Sequence, residues 1–419
     1  MRKSAWFAVA AAAALGLAGC SSGGTDEAPS ADDSAQSAPS ASESTDSITV
    51  WVDETRQGPV SEAAKKFTEE TGTKVDLVLK NFDDIRADFT AQVPTGEGPD
   101  ITVGANDWVG EFTANGVVAP VELGDKAGDF QESAIQAFTY NGQVYAVPYA
   151  IENIALIRNT DLAPEAPATW DDMMAAADAA GAKYKFLIQM NGEEGDPYTF
   201  YPLQTSFGST VFKQSDDGSY TPDLNLAEGG AEYAQFLADN GPKGTDVFNQ
   251  DRTYDIVVDA FSKGESPFLI GGPWMLDAIN QGGINVAIDP VPSAGGQEAR
   301  PFAGVQGFYL SAKAQNPLLA TNFLTNYMAT EDAQYALYEA GGRPPALKAA
   351  ADKAAQDPIT AGFMKAGENA LPMPSIPEMA SVWTPWGRTE AAIISGAEAD
   401  PAAAWERMIG DIQKAIDGN

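Results

Sequence analysis

The stretch ITVWVDETRQG, residues 48–58, begins the region of this 419-residue chain that decides its fold. It starts with a run rich in β-branched residues, and two further runs of this kind follow, separated by helical patterns. The pattern predicts strands at 48–52, 74–79 and 100–104 and helices at 61–67 and 83–92. This β-α-β-α-β order predicts a parallel sheet with right-handed crossovers.

Two loops follow predicted strands and are expected to lie at the binding edge of this sheet. Residues 53–57 come after the first strand, and residues 105–108 come after the third. In open α/β sheets, ligands bind beyond the carboxyl ends of the strands. The sequence therefore predicts a ligand site that includes both loops.

The first twenty residues have the pattern of a bacterial lipoprotein signal. Arg2 and Lys3 precede an apolar segment at 5–19, which ends in the run Leu-Ala-Gly before Cys20. A membrane-spanning helix is the alternative, but this segment of about 15 residues is shorter than the ~20 that a span requires. We therefore expect a signal peptide at 1–19, a lipidated Cys20 and a protein anchored outside the cell membrane.

Residues 20–47 are predicted to be a disordered tether. After Cys20 the segment is rich in Ser, Ala and acidic residues and lacks aromatic residues, large aliphatic residues and positive charge. Such a composition buries too little apolar surface to offset the entropy of ordering the chain.

Composition excludes several classes of function. The formal net charge is -34, which repels nucleic-acid phosphates, so no nucleic-acid binding is expected. The chain has no His and a single Cys, so the usual zinc sites and the Ser-His-Asp and Cys-His arrangements are absent. We predict no cofactor and no metal, which leaves carboxylate chemistry as the main enzymatic option.

Segments along the whole body resemble bacterial maltose- and maltodextrin-binding proteins, the solute-binding lipoproteins of ABC transporters. The similarity follows the same order along both sequences. It is carried by ITVWVDETRQG (48–58), KKFTEETGTKVDL (65–77), PTGEGPDITVGANDWVGEFTANGVVAPV (94–121), YNGQVYAVPYAIENIALIRNTDLAPEAPATWDD (140–172), FSKGESPFLIGGPWMLDAI (261–279), PFAGVQGFYLSAKAQNP (301–317) and MPSIPEMASVWTPWGRTEAAI (373–393).

This resemblance implies an α/β, two-lobed periplasmic-binding-protein-like fold of type II. Each lobe is expected to be a mostly parallel sheet flanked by helices, with ligand held in the cleft between lobes and enclosed by hinge closure. The expected N-terminal lobe covers 48–151 plus 303–354, and the C-terminal lobe covers 154–301 plus 358–419. A three-segment hinge is expected near 151–153, 302–303 and 355–357.

Aromatic candidates for the site are also implied by the resemblance. Trp274 and Trp383 match sugar-stacking tryptophans of the family, and Asp196 and Tyr198 match its acid-Pro-Tyr loop. Trp386 is three residues after Trp383, so ligand contact and core packing are equal alternatives for it.

Charged candidates lie in the loops and near the first hinge. Asp107 and Glu152 fall on sugar-binding acids of the family, whereas Glu54 and Arg56 match an acid and a basic residue with a shift of one position. The chain departs from the family by carrying Gly104 in place of a tryptophan and Trp108 in place of an arginine. An aromatic plane moved along this loop would change which end of a sugar is preferred.

The expected function is capture of maltose or maltodextrin by a monomer that delivers it to ABC permease subunits. A cyclodextrin or another neutral oligosaccharide is an alternative ligand. An alternative of another class is a lipid-anchored glycoside hydrolase that uses Asp107 and Glu152 as its acid pair, and a third is an adhesin that binds no small molecule. The family resemblance favours a protein that is not an enzyme.

Overall fold

The computed structural model describes residues 47–215 and 219–418. The predicted signal peptide, Cys20 and the predicted tether up to residue 46 lie outside the described residues. Ser47, the last residue assigned to the tether, already belongs to the first strand. In the part of the chain that is described, no helix has the length and apolar character that crossing a membrane requires.

The strands form two main sheets and two short hairpins. In chain order they are β1 (Ser47–Val52), β2 (Lys74–Leu79), β3 (Ile101–Ala105), β4 (Val118–Ala119), β5 (Thr139–Tyr140), β6 (Gln143–Val144), β7 (Ala146–Glu152), β8 (Ala155–Asn159), β9 (Leu187–Ile188), β10 (Phe212–Gln214), β11 (Tyr220–Leu224), β12 (Phe268–Gly271), β13 (Val286–Asp289), β14 (Phe302–Ser311) and β15 (Leu371–Pro372).

Helices cover both main sheets. In chain order the α-helices are α1 (Glu54–Thr71), α2 (Phe82–Gln92), α3 (Trp108–Ala114), α4 (Glu132–Ala137), α5 (Trp170–Ala180), α6 (Pro197–Thr205), α7 (Gly230–Asn240), α8 (Tyr254–Ser262), α9 (Leu276–Gln281), α10 (Pro317–Phe323), α11 (Glu331–Gly341), α12 (Lys348–Ala354), α13 (Pro358–Ala366), α14 (Trp383–Ile394) and α15 (Pro401–Gly418). Short 3₁₀ turns lie at Gly124–Asp129, Gly192–Glu194, Pro273–Met275 and Pro377–Ser381, and a π turn lies at Leu324–Met328.

The first sheet has the order β15-β14-β3-β1-β2, with β4 and β7 also paired to β14. Strand β1 runs parallel to both β2 and β3, as the β-α-β-α-β pattern predicts. Strand β3 is buried along its whole length, since helices cover the sheet and its neighbours continue it on both sides.

Strand β14 makes this sheet mixed, whereas the sequence had indicated mostly parallel pairing. It is antiparallel to both β3 and β7. The reason is the path of the chain: β14 follows the second sheet and enters the first beside the carboxyl end of β3, where Gln306 pairs with Ala105. Glu152, at the end of β7, pairs with Gly304 at the same edge.

The second sheet has the order β13-β8-β12-β9 and is also mixed. Strand β8 is antiparallel to β12 and β13, and β9 is parallel to β12. Gly271 at the end of β12 pairs with Ala155 at the start of β8, which follows Glu152 closely along the chain. The end of β12 is therefore held near the carboxyl edge of the first sheet.

The predicted lobes divide the strands much as the two sheets do, except that β15 falls in the predicted C-terminal lobe and pairs with β14 of the first sheet. Strands β1 to β4, β7, β14 and β15 belong to the first sheet, and β8, β9, β12 and β13 belong to the second. All described residues fall within one contact unit. The lobe boundaries and the three-segment hinge therefore stay predictions.

Helix α1 begins at Glu54 and not at residue 61, where the apolar pattern alone placed its start. Asp53 caps it, because one carboxylate oxygen accepts a hydrogen bond from the backbone N–H of Arg56 at 3.1 Å. This earlier start places Arg56 in the first helical turn with its side chain buried at the edge of the first sheet.

Buried Asp100 ties three segments of the first sheet together. One carboxylate oxygen accepts from the backbone N–H of Thr49 at 2.8 Å. The other accepts from the backbone N–H groups of Gln315 and Asn316 at 2.6 and 3.2 Å. It thus links β1, the start of β3 and the turn after β14.

Asp100→Ala is expected to lower the free energy of unfolding by about 3 kcal/mol, because it leaves buried N–H groups without their charged acceptor. Urea unfolding followed by circular dichroism measures the loss. Asp352→Ala, at an exposed position of α12, is the matched control and should change stability by less than about 0.5 kcal/mol. Equal stability of the two variants would contradict this account of Asp100.

Candidate functional site

A cavity of about 520 Å³ lies where the carboxyl edge of the first sheet meets the end of β12. Its volume is within the usual range for small-molecule sites. Eight of the residues predicted from sequence line it, namely Arg56, Asp107, Trp108, Glu152, Asp196, Tyr198, Trp274 and Trp383.

Trp274 lies in the 3₁₀ turn that follows β12. Gly272, two residues before it, leaves room for the ring in this position, because a Cβ there would lie 2.2 Å from the indole. The ring is half-buried and its centroid is 6.2 Å from that of Tyr198. The two rings therefore form one aromatic wall of the cavity.

Trp383 and Trp386 occupy the first turn of α14 and stack on each other, with centroids 5.6 Å apart and an interplanar angle of 15°. Only Trp383 lines the cavity. Trp386 is fully buried, and its indole N–H donates to Gln204 Oε1 at 3.0 Å. Of the two alternatives that the sequence left open for Trp386, the structure places it in the core, behind Trp383.

Asp107 connects the loop after β3 to α14. Its Oδ2 accepts a hydrogen bond from Trp383 Nε1 at 3.0 Å. Burial disfavours the charged form and raises the pKa of Asp107 to about 6. This hydrogen bond thus holds the Trp383 ring next to the loop that follows β3.

Asp196 is the N-cap of α6, as its carboxylate accepts from the backbone N–H of Thr199 at 3.2 Å and from the Thr199 hydroxyl at 2.8 Å. Gln189 also donates to it. Burial raises the pKa of Asp196 to about 6. This acid holds the helix start that presents Tyr198 to the cavity.

Two buried polar atoms at the cavity have no hydrogen-bond partner within the described residues. They are the hydroxyl of Tyr198 and Oε1 of Gln189, and both residues line the cavity. Because buried polar groups are normally paired, these atoms favour a polar ligand.

A chain of charged and amide groups lies at the edge of the first sheet. Arg56 binds the carboxylate of Asp53, and its Nη2 donates to Gln306 Oε1 at 3.3 Å. Gln306 Nε2 then donates to Glu152 Oε1 at 2.9 Å. Arg343 Nε donates to Glu152 Oε2 at 2.5 Å. Opposite charges alternate along this chain, so each buried charge has a partner.

Gly104 and Trp108 form a complementary pair. A Cβ at residue 104 would lie 2.5 Å from the Trp108 ring, so the indole fills the space that a larger residue would need. Trp108 also packs at 5.2 Å from Phe82 and is only 7% exposed. Trp108 therefore lines the cavity with little exposed surface.

Glu54 does not reach the cavity lining. It is exposed in the first turn of α1, on the opposite side of the helix from buried Arg56. Several lining residues were not found from sequence, among them Gln189, Tyr254, Gln306 and Arg343. The Gly-Gly-Arg-Pro-Pro run at 341–345 marks a turn, but no sequence signal indicates that this turn folds back to the cavity.

Comparison with known proteins identifies the family. The model of the bacterial extracellular solute-binding proteins matches residues 62–362. The chain belongs to this family. This solute-binding protein is 31% identical to the maltodextrin-binding protein MdxE of Bacillus subtilis, with 90% of this chain and 89% of the relative covered. It is 27% identical to the galactooligosaccharide-binding protein of the same organism, with 97% and 95% covered.

A solved structure confirms the predicted fold class. The solute-binding protein superposes on a Thermus thermophilus maltotriose binding protein bound with maltotriose, with a TM-score of 0.80 and 32% identity. The match covers 88% of this chain and all of the other. The protein therefore has the two-lobed type II binding-protein fold.

Because Trp383 lines the cavity and Trp386 is in the core, we expect their alanine variants to lose different amounts of unfolding free energy. Trp386→Ala should lower the free energy of unfolding by about 3–5 kcal/mol, because it empties a fully buried volume. Trp383→Ala should cost less than about 1.5 kcal/mol, because the ring lines an open cavity. Chemical denaturation measures both values, and a similar loss for the two variants would contradict the placement of Trp386 in the core.

Proposed function

We propose that this protein is the extracytoplasmic binding component of an ABC importer and captures maltodextrin-type oligosaccharides in the cavity described above. The observation that carries the proposal is that half-buried aromatic rings and buried carboxylates line the same cavity. The rings are those of Trp274, Tyr198 and Trp383. The family membership and the names of its relatives support the same function.

An oligosaccharide matches this lining chemically. Its sugar rings have C–H faces that pack on aromatic planes, and each buried face contributes about 1–2 kcal/mol by area. Its hydroxyl rims donate to carboxylates, at about 1.5–3 kcal/mol for each charge-assisted hydrogen bond. A few contacts of both kinds supply the roughly 8 kcal/mol that micromolar binding requires.

The charges at the cavity favour a neutral ligand. Glu152 is paired with Arg343, and Asp53 is paired with Arg56. An ionic ligand would compete for one member of these pairs and leave the other buried without a partner, at a cost of several kcal/mol. An uncharged sugar leaves both pairs in place.

The remaining features are proposed on sequence grounds. Lipidation of Cys20 would anchor the protein outside the cell membrane, and residues 21–46 would hold the body away from the lipid surface. The sugar would be delivered to ABC permease subunits by a monomeric protein that uses no cofactor and performs no catalysis. The family's extracellular character supports this location.

Trp274→Ala and Trp383→Ala should each weaken maltotriose binding at least tenfold, because each removes an aromatic face from the cavity. Calorimetric titration with maltose, maltotriose, β-cyclodextrin, trehalose, xylobiose and galactobiose measures the affinities. Tyr145→Ala, which alters a half-buried aromatic residue outside the cavity lining, is the control and should bind as the unaltered protein does.

Tight binding of galactobiose with none of maltotriose would contradict the maltodextrin assignment. The same samples, incubated with maltotriose and analysed by chromatography, should show unchanged sugar. Release of glucose would instead support the glycoside hydrolase that uses Asp107 and Glu152.

Affinity for maltotriose should fall as the pH is lowered from 7 to 5. With a pKa of about 6, Asp107 is mostly ionised at pH 7 and mostly protonated at pH 5, so it loses its charge-assisted hydrogen bond to a sugar hydroxyl. The expected decrease is up to about tenfold for each carboxyl group that titrates.

Asp196 has a similarly raised pKa, so the variant Asp107→Asn separates the two acids. It should bind more weakly at pH 7 and show a shallower pH dependence than the unaltered protein. An affinity that is constant from pH 7 to pH 5 would exclude contact between the sugar and ionised Asp107.

A further inference from the structure

Arg343 has hydrogen-bonding capacity that the protein does not use. It lines the cavity from the loop after α11, and its Nε donates to Glu152 Oε2 at 2.5 Å. Within the described residues, the hydrogen bond to Glu152 is the one that its guanidinium makes, and both terminal nitrogens are left over. A guanidinium group carries five N–H donors, so four of them remain available on the terminal nitrogens.

Arg56, the arginine that the sequence indicated, differs in this respect. Its three nitrogens donate to Tyr149, Asp53 and Gln306. It is held between the rings of Phe82 and Tyr149, whose centroids lie 4.8 and 5.4 Å from its guanidinium carbon. Arg56 is therefore mainly part of the wall, whereas Arg343 has donors available for a ligand.

The backbone fixes Arg343 beside the aromatic wall. Gly342 has a φ of 67° and packs against the carbonyl oxygen of Pro273, where a Cβ would lie 2.8 Å from that oxygen. The Arg343 guanidinium carbon lies 5.3 Å from the centroid of Trp274. The guanidinium lies over part of the Trp274 ring, so a sugar ring that packs on the rest of this indole would lie beside the free nitrogens.

Glu152, the acid beside Arg343 at this corner of the cavity, is partly engaged by the protein itself. Each carboxylate oxygen of Glu152 accepts one hydrogen bond from the protein, from Gln306 and from Arg343. Glu152 therefore holds the guanidinium in a fixed orientation, and the ligand meets the donors of Arg343. The hydroxyl of Tyr198, buried without a partner, lies at the same corner, since it is 3.1 Å from the Cβ position of Gly304, the residue paired with Glu152.

We propose that Arg343 is a ligand-binding and specificity-determining residue, and that its two terminal nitrogens donate to adjacent hydroxyl oxygens of the sugar ring at Trp274. The proposal rests on the proposed function. A planar guanidinium can donate to two neighbouring oxygens at once, whereas the ammonium group of lysine acts as a single point charge. Arg343 therefore selects a ring by the spacing of two hydroxyl groups.

The test uses the full chain, maltotriose and a series of maltotriose analogues that each lack one hydroxyl group. Arg343→Lys keeps a cation beside Glu152, and Arg343→Met removes it. Arg388→Met is the control, because Arg388 is exposed, is paired with Glu194 and does not line the cavity. Calorimetry gives each affinity, and thermal unfolding checks each fold.

Arg343→Lys should bind maltotriose about tenfold or more weakly than the unaltered protein, and Arg388→Met should bind it equally well. For the analogue that lacks a hydroxyl bound by Arg343, the difference between the unaltered protein and Arg343→Lys should shrink to less than about threefold. If Arg343→Met is unstable because Glu152 is left unpaired, the lysine variant still gives this comparison.

The same loss of affinity for every analogue would overturn the proposal, because it would mean that Arg343 acts only through Glu152 or Trp274. Undiminished affinity of Arg343→Lys for maltotriose would also overturn it. Failure of the unaltered protein to bind maltotriose at all would instead reject the proposed function itself, and the assignment of Arg343 with it.

Discussion

Backbone hydrogen bonds between β14 and two of its neighbours, β3 and β7, bring three separate parts of the chain to one edge of the first sheet. Their register places Gln306 opposite Ala105 and Glu152 opposite Gly304. Asp107 follows the end of β3, and β8 follows the end of β7. A shift of β14 by one residue would turn Gln306 to the other face of the sheet and break the link between Arg56 and Glu152.

Burial of charge is the second feature on which the cavity depends. Arg56 and Glu152 are less than 10% exposed, as are Asp107 and Asp196. In such surroundings an unpaired charge is costly, so the groups either pair with each other or have raised pKa values. This arrangement gives a polar cavity in which Asp53 and Glu152 are paired with arginines, and it suits a ligand that offers hydroxyl groups and no charge.

Local patterns predicted the parts of the fold that depend on nearby residues. The β-branched runs gave the order and direction of β1, β2 and β3, and Gly272-Pro273 gave the turn that carries Trp274. The antiparallel entry of β14 depends on contacts between distant segments, so strand patterns did not reveal it. The start of α1 was missed because a capping aspartate, and not apolar periodicity, sets it.

For the cavity, too, prediction from sequence depended on whether a residue's role is set by nearby or by distant residues. Eight predicted residues line it because family resemblance carries information about distant contacts. Arg343 and Gln306 were missed because their roles depend on partners far along the chain, such as Glu152. The spacing of Trp386 from Trp383 could not assign its role. A side chain on this face of the helix can line the cavity or pack in the core.

A crystal structure of the protein grown with maltotriose tests the central claim most directly. The account predicts sugar rings in the cavity against Trp274, Tyr198 and Trp383, with hydroxyl groups within hydrogen-bond distance of Asp107. Maltotriose bound at another surface, with this cavity left to solvent, would contradict it.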